Sequence, residues 1–341
     1  MNQSPKRKWI KYSIWTFIIL LVLINLAAIF HSYKFTHYAD SQSEKTKSPK
    51  DLSPGQKLKT LFLGFNNPRP ESTIVPAGNF QTIQLKGNKE IECWSIQTED
   101  SKGTVVLFHG YSGEKSALLD KSDVFRDLGY NTFLVDFMGS GGSEGNQTTI
   151  GFLEAEQVKI CFDYLTENGE EDIYLFGTSM GSVAIMKAIT DYGIKPGGII
   201  IECPFGTMYQ TICARFKAMN VPVFPMAGLF VFWGGLQNGF WAFALNPTNY
   251  AKRINCPALL LYGAQDAKVS RQEIDEIFNN LTGPKKLKIY QEAGHEDYLT
   301  KYKEEWIQDV QLFLTENTAK NYFETLIKNI LKPTIFLCVC M

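Results

Sequence analysis

The chain has 341 residues, 45% of them hydrophobic and 20% charged, with a formal net charge of −1. This is ordinary globular composition with enough apolar residue for a large core. So neutral a balance argues against a nucleic-acid partner, whose phosphates call for clustered lysine and arginine.

Ile14 to Phe30 ("IWTFIILLVLINLAAIF") is interrupted only by Thr16 and Asn25. With Tyr12 and Tyr33 as flanks it approaches the roughly 20 residues that span a bilayer. Trp9, Tyr12, Trp15 and Tyr33 sit where interfacial aromatics lie. Lys6, Arg7, Lys8 and Lys11 predict a single-pass anchor with a cytoplasmic N-terminus, the main domain facing the periplasm, a lumen or the outside. Lys34, Lys45 and Lys47 on the other side weaken that bias. A cleaved signal peptide competes, but the run exceeds a usual h-region and no clear A-x-A site follows. The expected organisation is a membrane anchor over 1–40, a polar linker over 41–70 ("SQSEKTKSPKDLSPG", then "NNPRPES"), a catalytic-type domain over 71–315 and a tail over 316–341.

Strands are expected at Gln81–Leu85, Ile91–Gln97, Thr104–Phe108, Asn131–Val135, Ile173–Phe176, Gly198–Ile201, Ala258–Tyr262 and Lys286–Tyr290. Helical patterns such as Phe152–Thr166 and Arg271–Asn279 fall between them. The first two strands suggest a hairpin; the rest predict an α/β fold with a mostly parallel eight-stranded sheet and helices on both faces. One interval breaks the rhythm, because more than fifty residues separate Ile201 from Ala258. This insert, about 203–250, concentrates aromatics such as Phe205, Phe216, Phe230, Trp233, Trp241 and Phe243. It reads as a helical cap whose aromatics are core-facing or wall an apolar pocket. The tail ends Cys338-Val339-Cys340-Met341, a formal prenylation match that we take as chance. Seven scattered cysteines show no CxxC and no Cys/His zinc spacing, so neither metal nor cofactor is expected.

The chemistry centres on "YLFGTSMGSVAI", where Gly177-x-Ser179-x-Gly181 joins a strand to a helix. That is the context of a nucleophile elbow, whose glycines avoid collisions around a strained serine. Of four histidines, His31 and His37 lie in or beside the membrane segment and His109 opens "HGYSGEK" directly after a strand. His295, in "EAGHEDYL" after the last strand, is left as the base. Asp266, in "LLLYGAQDAKVS", is the expected acid; Glu202, ending the strand before the insert, is the alternative acid. Oxyanion donors are expected from the backbone N–H groups of Met180 and Tyr111, whose side chains stay free to shape the pocket. His109 reads as a brace for its loop. Gly139-x-Gly141-x-x-x-Gly145 could pass for a nucleotide loop, but Asp136 stands where a pyrophosphate would sit and no helix begins at once.

The elbow, the His109-Gly110 loop, Gly263-x-x-Asp266 and Gly294-His295 together resemble the α/β-hydrolase superfamily over roughly residues 80 to 315. Within it the chain is similar to membrane-anchored BEM46-like proteins, serine aminopeptidases (S33) and monoacylglycerol-lipase-like hydrolases. "DFMGSGGSEG" resembles the family's D-x-R-G-x-G-x-S segment, with Met138 in place of the arginine. The resemblance implies a serine hydrolase acting through Ser179, Asp266 and His295 on a small-molecule acyl or ester substrate, lipid included. Dehalogenase and epoxide-hydrolase relatives use aspartate instead. An S33-type aminopeptidase or amidase, and a catalytically silent membrane-binding scaffold, stand as the alternatives.

Overall fold

A computed structural model describes residues 5–47 and 52–330; the Cys338–Met341 motif lies outside them. Helix α1 (Pro5–Thr36) opens the chain and α2 (Pro54–Leu63) follows. The domain then runs β1 (Gln81–Leu85), β2 (Ile91–Ile96), β3 (Thr104–Phe108), α3 (Leu119–Asp127), β4 (Asn131–Val135), α4 (Glu154–Glu167), β5 (Ile173–Thr178), α5 (Met180–Tyr192) and β6 (Gly198–Glu202). The insert carries α6 (Met208–Ala218), α7 (Met226–Gln237) and α8 (Pro247–Tyr250). The fold closes with β7 (Ala258–Gly263), α9 (Arg271–Asn280), β8 (Lys285–Tyr290), α10 (Tyr298–Lys301) and α11 (Lys303–Ile330).

The eight strands form one sheet in the order β1-β2-β4-β3-β5-β6-β7-β8. β1 pairs antiparallel with β2 and β2 with β4; every later pairing is parallel. Central strands are apolar throughout because both sheet faces are covered. Along β5, Ile173 and Leu175 pack on one side with α4, α5 and the cap. Tyr174 and Phe176 pack on the other with α3 and the start of α11. That alternation is the two-residue period of a strand. At the second face Trp306 is fully buried and meets Phe125 and Phe176 edge to face, with ring centroids 5.9 and 6.1 Å away. Burying one such side chain contributes about 1.5–3 kcal/mol.

Three boundaries differ from the sequence reading. The stretch read as linker contains α2, started by a capping box in which Ser53 Oγ accepts from Gln56 N–H at 3.3 Å and Gln56 Oε1 accepts from Ser53 N–H at 2.9 Å. Ser-Pro-x-Gln is as polar as any linker, which is why composition alone hid the helix start. The division at 315/316 falls inside α11, whose helical pattern does not pause there. Finally, the end of α1 is built into the domain, since Phe35 is a buried core residue.

The stretch Lys8–Thr36 is long and apolar enough to cross a membrane by length and composition. Its second half docks on the cap. Trp233 Nε1 donates to Asn25 Oδ1 at 2.9 Å, and Gln237 Nε2 donates to Ile29 O at 3.0 Å.

Arginine does reach the loop after β4, although Met138 occupies the position where the resemblance led us to look for it. Arg69 donates to the carbonyls of Gly141 (2.9 Å), Gly145 (3.2 Å) and Ser143 (2.6 Å). Beneath the loop, the Lys115 ammonium is wholly buried against Asp136 and also donates to Glu92 at 2.8 Å. Asp136 Oδ1 accepts from Lys115 N–H at 2.7 Å, and its Oδ2 accepts from Gly142 N–H at 2.9 Å. A nucleotide phosphate has no place beside this carboxylate. Because removing one partner leaves the other charge buried, Lys115→Met is expected to cost about 3–5 kcal/mol in urea unfolding. A loss below about 1 kcal/mol would show the pair to be energetically idle.

Candidate active site

β5 delivers Thr178 to the sheet's carboxyl edge, and the chain turns at Ser179 into α5. Ser179 has φ 52° and ψ −106°, a conformation that L residues avoid. Packing around the turn fixes it. A Cβ on Gly177 would lie 2.6 Å from the Gly181 carbonyl carbon, and one on Gly181 would lie 2.3 Å from the Phe108 oxygen. Side chains at either position would therefore push α5 off β3 and β5. Ser179 N–H donates to Glu202 O at 2.8 Å, and Ser182 Oγ donates to Gly177 O and to Glu202 O at 2.5 and 2.9 Å.

β7 and the loop after it present Asp266. Its side chain is buried, and Oδ1 accepts from the N–H groups of Lys268 (2.7 Å) and Val269 (3.0 Å). The other oxygen, Oδ2, lies 2.7 Å from His295 Nδ1. A carboxylate oxygen at this distance accepts, so in the neutral form of the ring Nδ1 carries the proton and Nε2 the lone pair. The histidine loop is held close because Gln265 N–H donates to Ala293 O at 2.8 Å, and a Cβ on Gly263 would lie 2.5 Å from that same oxygen. Two residues beyond His295, Asp297 caps α10 and accepts from the buried Lys121 ammonium at 2.6 Å, tying the loop to α3. Among the described residues no hydrogen bond joins Ser179 Oγ to His295; such contacts often tighten only with substrate.

Glu202 faces elsewhere. Its carboxylate accepts from Trp306 Nε1 at 2.8 Å and Thr178 Oγ1 at 2.9 Å. Burial raises its pKa, opposed by Lys121 and these two donors. It braces β5 against α11 through its side chain and the serine turn through its carbonyl.

Tyr111 and Met180 stand at the turn as well. Met180 opens α5, where the N–H has no carbonyl one turn back. The Tyr111 N–H has no backbone partner among the described residues. Their side chains are not free, which departs from the sequence reading. The Tyr111 hydroxyl donates to Phe35 O at 2.8 Å and accepts from Asn67 Nδ2 at 3.0 Å, while Met180 Sδ accepts from Thr148 Oγ1 at 3.3 Å. His109 does brace its loop. It is buried, Nε2 accepts from Phe137 N–H at 3.1 Å, and Nδ1 donates to Gly110 O at 2.8 Å. Burial lowers its pKa, so it stays neutral.

Beside the loop holding Tyr111, a narrow apolar cavity runs under the cap between Phe35, Ile150, Ile212, Phe230 and Phe240. Phe35 stacks on Tyr111 at 4.9 Å, so the last turns of α1 form part of this wall. Sequence reasoning missed that role, because Phe35 lies past the apolar run and is separated from Tyr111 by 76 positions.

Cys203, Asp266 and His295 bring ligand atoms within 4.8 Å of one another. Burial, reinforced by Asp266 and Glu202, keeps the Cys203 thiol well above its usual pKa. A protonated thiol is a poor metal ligand, and Asp266 is already committed to His295.

The eight-stranded sheet, with its serine turn between β5 and α5, has the α/β-hydrolase fold. A model of the serine aminopeptidase S33 family matches residues 99–230. The uncharacterized protein YqkD of Bacillus subtilis is 25% identical over 258 residues, covering 74% of this chain and 82% of that protein. The lysophosphatidylserine lipase ABHD12 of Danio rerio is 24% identical over 204 residues, 58% of this chain, and the match spans only 51% of that protein. A solved esterase from Pyrococcus furiosus shares the fold with a TM-score of 0.61 and 21% identity, over 74% of this chain and 99% of its own.

The turn geometry makes a direct prediction. Gly181→Ala should lower the thermal midpoint sharply or abolish soluble folded protein, because its Cβ meets backbone. Gly228→Ala, in α7 with open space around it, should leave the midpoint unchanged or raise stability by about 0.5–1 kcal/mol. Equal tolerance of both would contradict the packing argument.

Proposed function

We propose that the protein is a serine hydrolase that cleaves a carboxylic ester or thioester, lipid-like or acyl, through Ser179, His295 and Asp266. The observation that carries this reading is the 2.7 Å contact between Asp266 and His295, in a chain that also holds Ser179 at φ 52° in the turn between β5 and α5. Ser179 Oγ attacks the acyl carbonyl as His295 Nε2 takes its proton, and Asp266 stabilises the imidazolium. The N–H groups of Met180 and Tyr111 receive the developing oxyanion. Collapse expels the leaving alcohol or thiol, which takes the proton from His295. Water then hydrolyses the acyl-enzyme by the reverse proton route.

Support for an acyl substrate comes from the lipase name of one relative. On this reading α1 anchors the protein in a membrane, with the N-terminus cytoplasmic and the hydrolase domain on the outer face. Residues 1–40 act as anchor, 41–70 as connection, 71–315 as hydrolase domain with a cap over about 203–250, and 316–341 as tail. The S33 match favours one rival, hydrolysis of an N-terminal peptide bond. That activity would need a carboxylate to receive the substrate's free amine.

A fluorophosphonate probe is expected to label the protein, and Ser179→Ala to abolish labelling. Folded wild-type protein that stays unlabelled would instead support a silent scaffold. Asp266→Asn should lower ester kcat on the order of 10³–10⁴-fold. Glu202→Gln should act mainly on stability, and a larger kcat loss there than at Asp266 would reverse the assignment. Turnover of aminoacyl amides ahead of acyl esters would favour the peptidase.

A further inference from the structure

Between Lys217 and Lys252 the chain carries no charged residue, although this run forms α7 and the turns on either side of it. Much of it is surface. Phe224 is 86% exposed, Leu236 59% and Trp241 58%, and Phe232 and Phe243 are exposed as well. The rings connect: Trp233 meets Phe232 at 5.2 Å, Phe232 meets Trp241 at 6.2 Å, and Trp241 meets Phe243 at 5.1 Å. This series begins at α1, because Trp233 Nε1 is the group that donates to Asn25. A second apolar face lies on α2. There Leu58, Leu61 and Phe62 are exposed at the spacing of one helical side, flanked by Lys57 and Lys59. No residue of α2 is buried. This helix also meets α1: His31 Nε2 donates to Leu61 O at 2.8 Å, and a Cβ on Gly64, just past its end, would lie 3.0 Å from the Phe30 ring.

Water-facing surfaces break up apolar area with charge, so connected apolar faces of this kind mark an interaction site. The length of α1 identifies what covers them. Trp9 to Leu23 is exposed at every residue and rises about 22 Å at about 1.5 Å per residue. The hydrocarbon of a bilayer is about 30 Å thick and takes about 20 residues to cross. Counted from Trp9 a span of about 20 residues ends near Ala28, and counted from Tyr12 it ends near His31. Both ends fall between Asn25 and Lys34, the stretch that α7 and α2 grip. A membrane thick enough for α1 therefore reaches the level of both helices. Charged side chains at that depth would have to be desolvated, whereas tryptophan, phenylalanine and leucine suit it.

We propose that α2 and the stretch 224–243 form a collar around α1 that is immersed in the membrane leaflet on the domain's side. The partner is the lipid surface itself. This goes beyond the hydrolase chemistry and rests only on the reading of α1 as a membrane span. Lys57 and Lys59, at the edges of the α2 face, reach the head groups while Leu58, Leu61 and Phe62 enter the acyl region. The collar holds the domain at a fixed height, which a single helix on a flexible tether could not do. Phe35, stacked on Tyr111, follows Ile29 by about 9 Å of helix at about 1.5 Å per residue, so the Tyr111 loop stands close above the lipid.

The test is photolabelling from within the bilayer. Full-length protein is reconstituted in palmitoyl-oleoyl phosphatidylcholine vesicles containing a phosphatidylcholine with a diazirine in the upper half of one acyl chain. After irradiation the adducts are mapped by peptide mass spectrometry. Adducts are expected on α1, on 224–243 and on α2, the collar yields exceeding that of the charged helix α9 by at least about tenfold. Leu236→Glu with Trp241→Glu, both at exposed positions, should cut labelling over 224–243 at least about threefold. Labelled α1 with 224–243 and α2 at the level of α9 would overturn the collar and leave the anchor standing. A second copy or a soluble partner on these faces would exclude lipid and give that same result. Labelled collar with unlabelled α1 would support the lipid contact and sink the spanning helix alone. Labelling over 224–243 that ignores the two glutamates would also reject the collar, since it would not depend on the apolar face.

Discussion

The rest of the site hangs on the left-handed backbone of Ser179, held between β5 and α5 by packing that tolerates no side chain at Gly177 or Gly181. An isolated peptide would relax such a turn, at a gain of order 1–3 kcal/mol. Here relaxation would break the Ser179 N–H bond to Glu202 O and separate α5 from β3. Both sheet faces oppose that movement. Glu202 receives Trp306 from the far side, so a helix late in the chain stiffens a turn near its middle. The strain is a cost borne by the whole core, and it holds Ser179 against the His109–Gly110 loop that leads into Tyr111.

A second consequence concerns α1. An anchor joined by a loose tether could be removed without touching the chemistry. In this chain the helix runs on past its apolar stretch, docks on α7 through Asn25 and Ile29, and ends with Phe35 stacked on Tyr111. The same Tyr111 hydroxyl that donates to Phe35 O sits on the residue whose N–H is the proposed oxyanion donor. Helix and pocket are therefore one piece of structure.

Much of this was legible in the sequence because the relevant patterns are local. The eight strands fall within two residues of their expected ends, since each is a short apolar run bounded by turn residues. The serine turn is spelled out in five consecutive residues. Pairing of Asp266 with His295 could be anticipated from chain order, whereas turning Glu202 toward Trp306 could not, because those residues are 104 positions apart. The same holds for Lys115 with Asp136, for Arg69 on the Gly141–Gly145 loop, and for Lys121 with Asp297. Each is a polar pair made by tertiary contact, and a lone lysine in a sequence looks solvated whatever it becomes. α2 was missed for a different reason: its capping signal is overlain by linker-like polarity.

The central claim is that Ser179 becomes covalently acylated. Intact-mass spectrometry of full-length protein mixed rapidly with an activated acyl ester tests it most directly, followed by peptide mapping of the adduct. The account predicts one transient acyl group, carried on the peptide containing Ser179, that decays with water and persists longer when His295 is replaced by alanine. Turnover of the ester with no adduct on that peptide, or an adduct on a different residue, would contradict it.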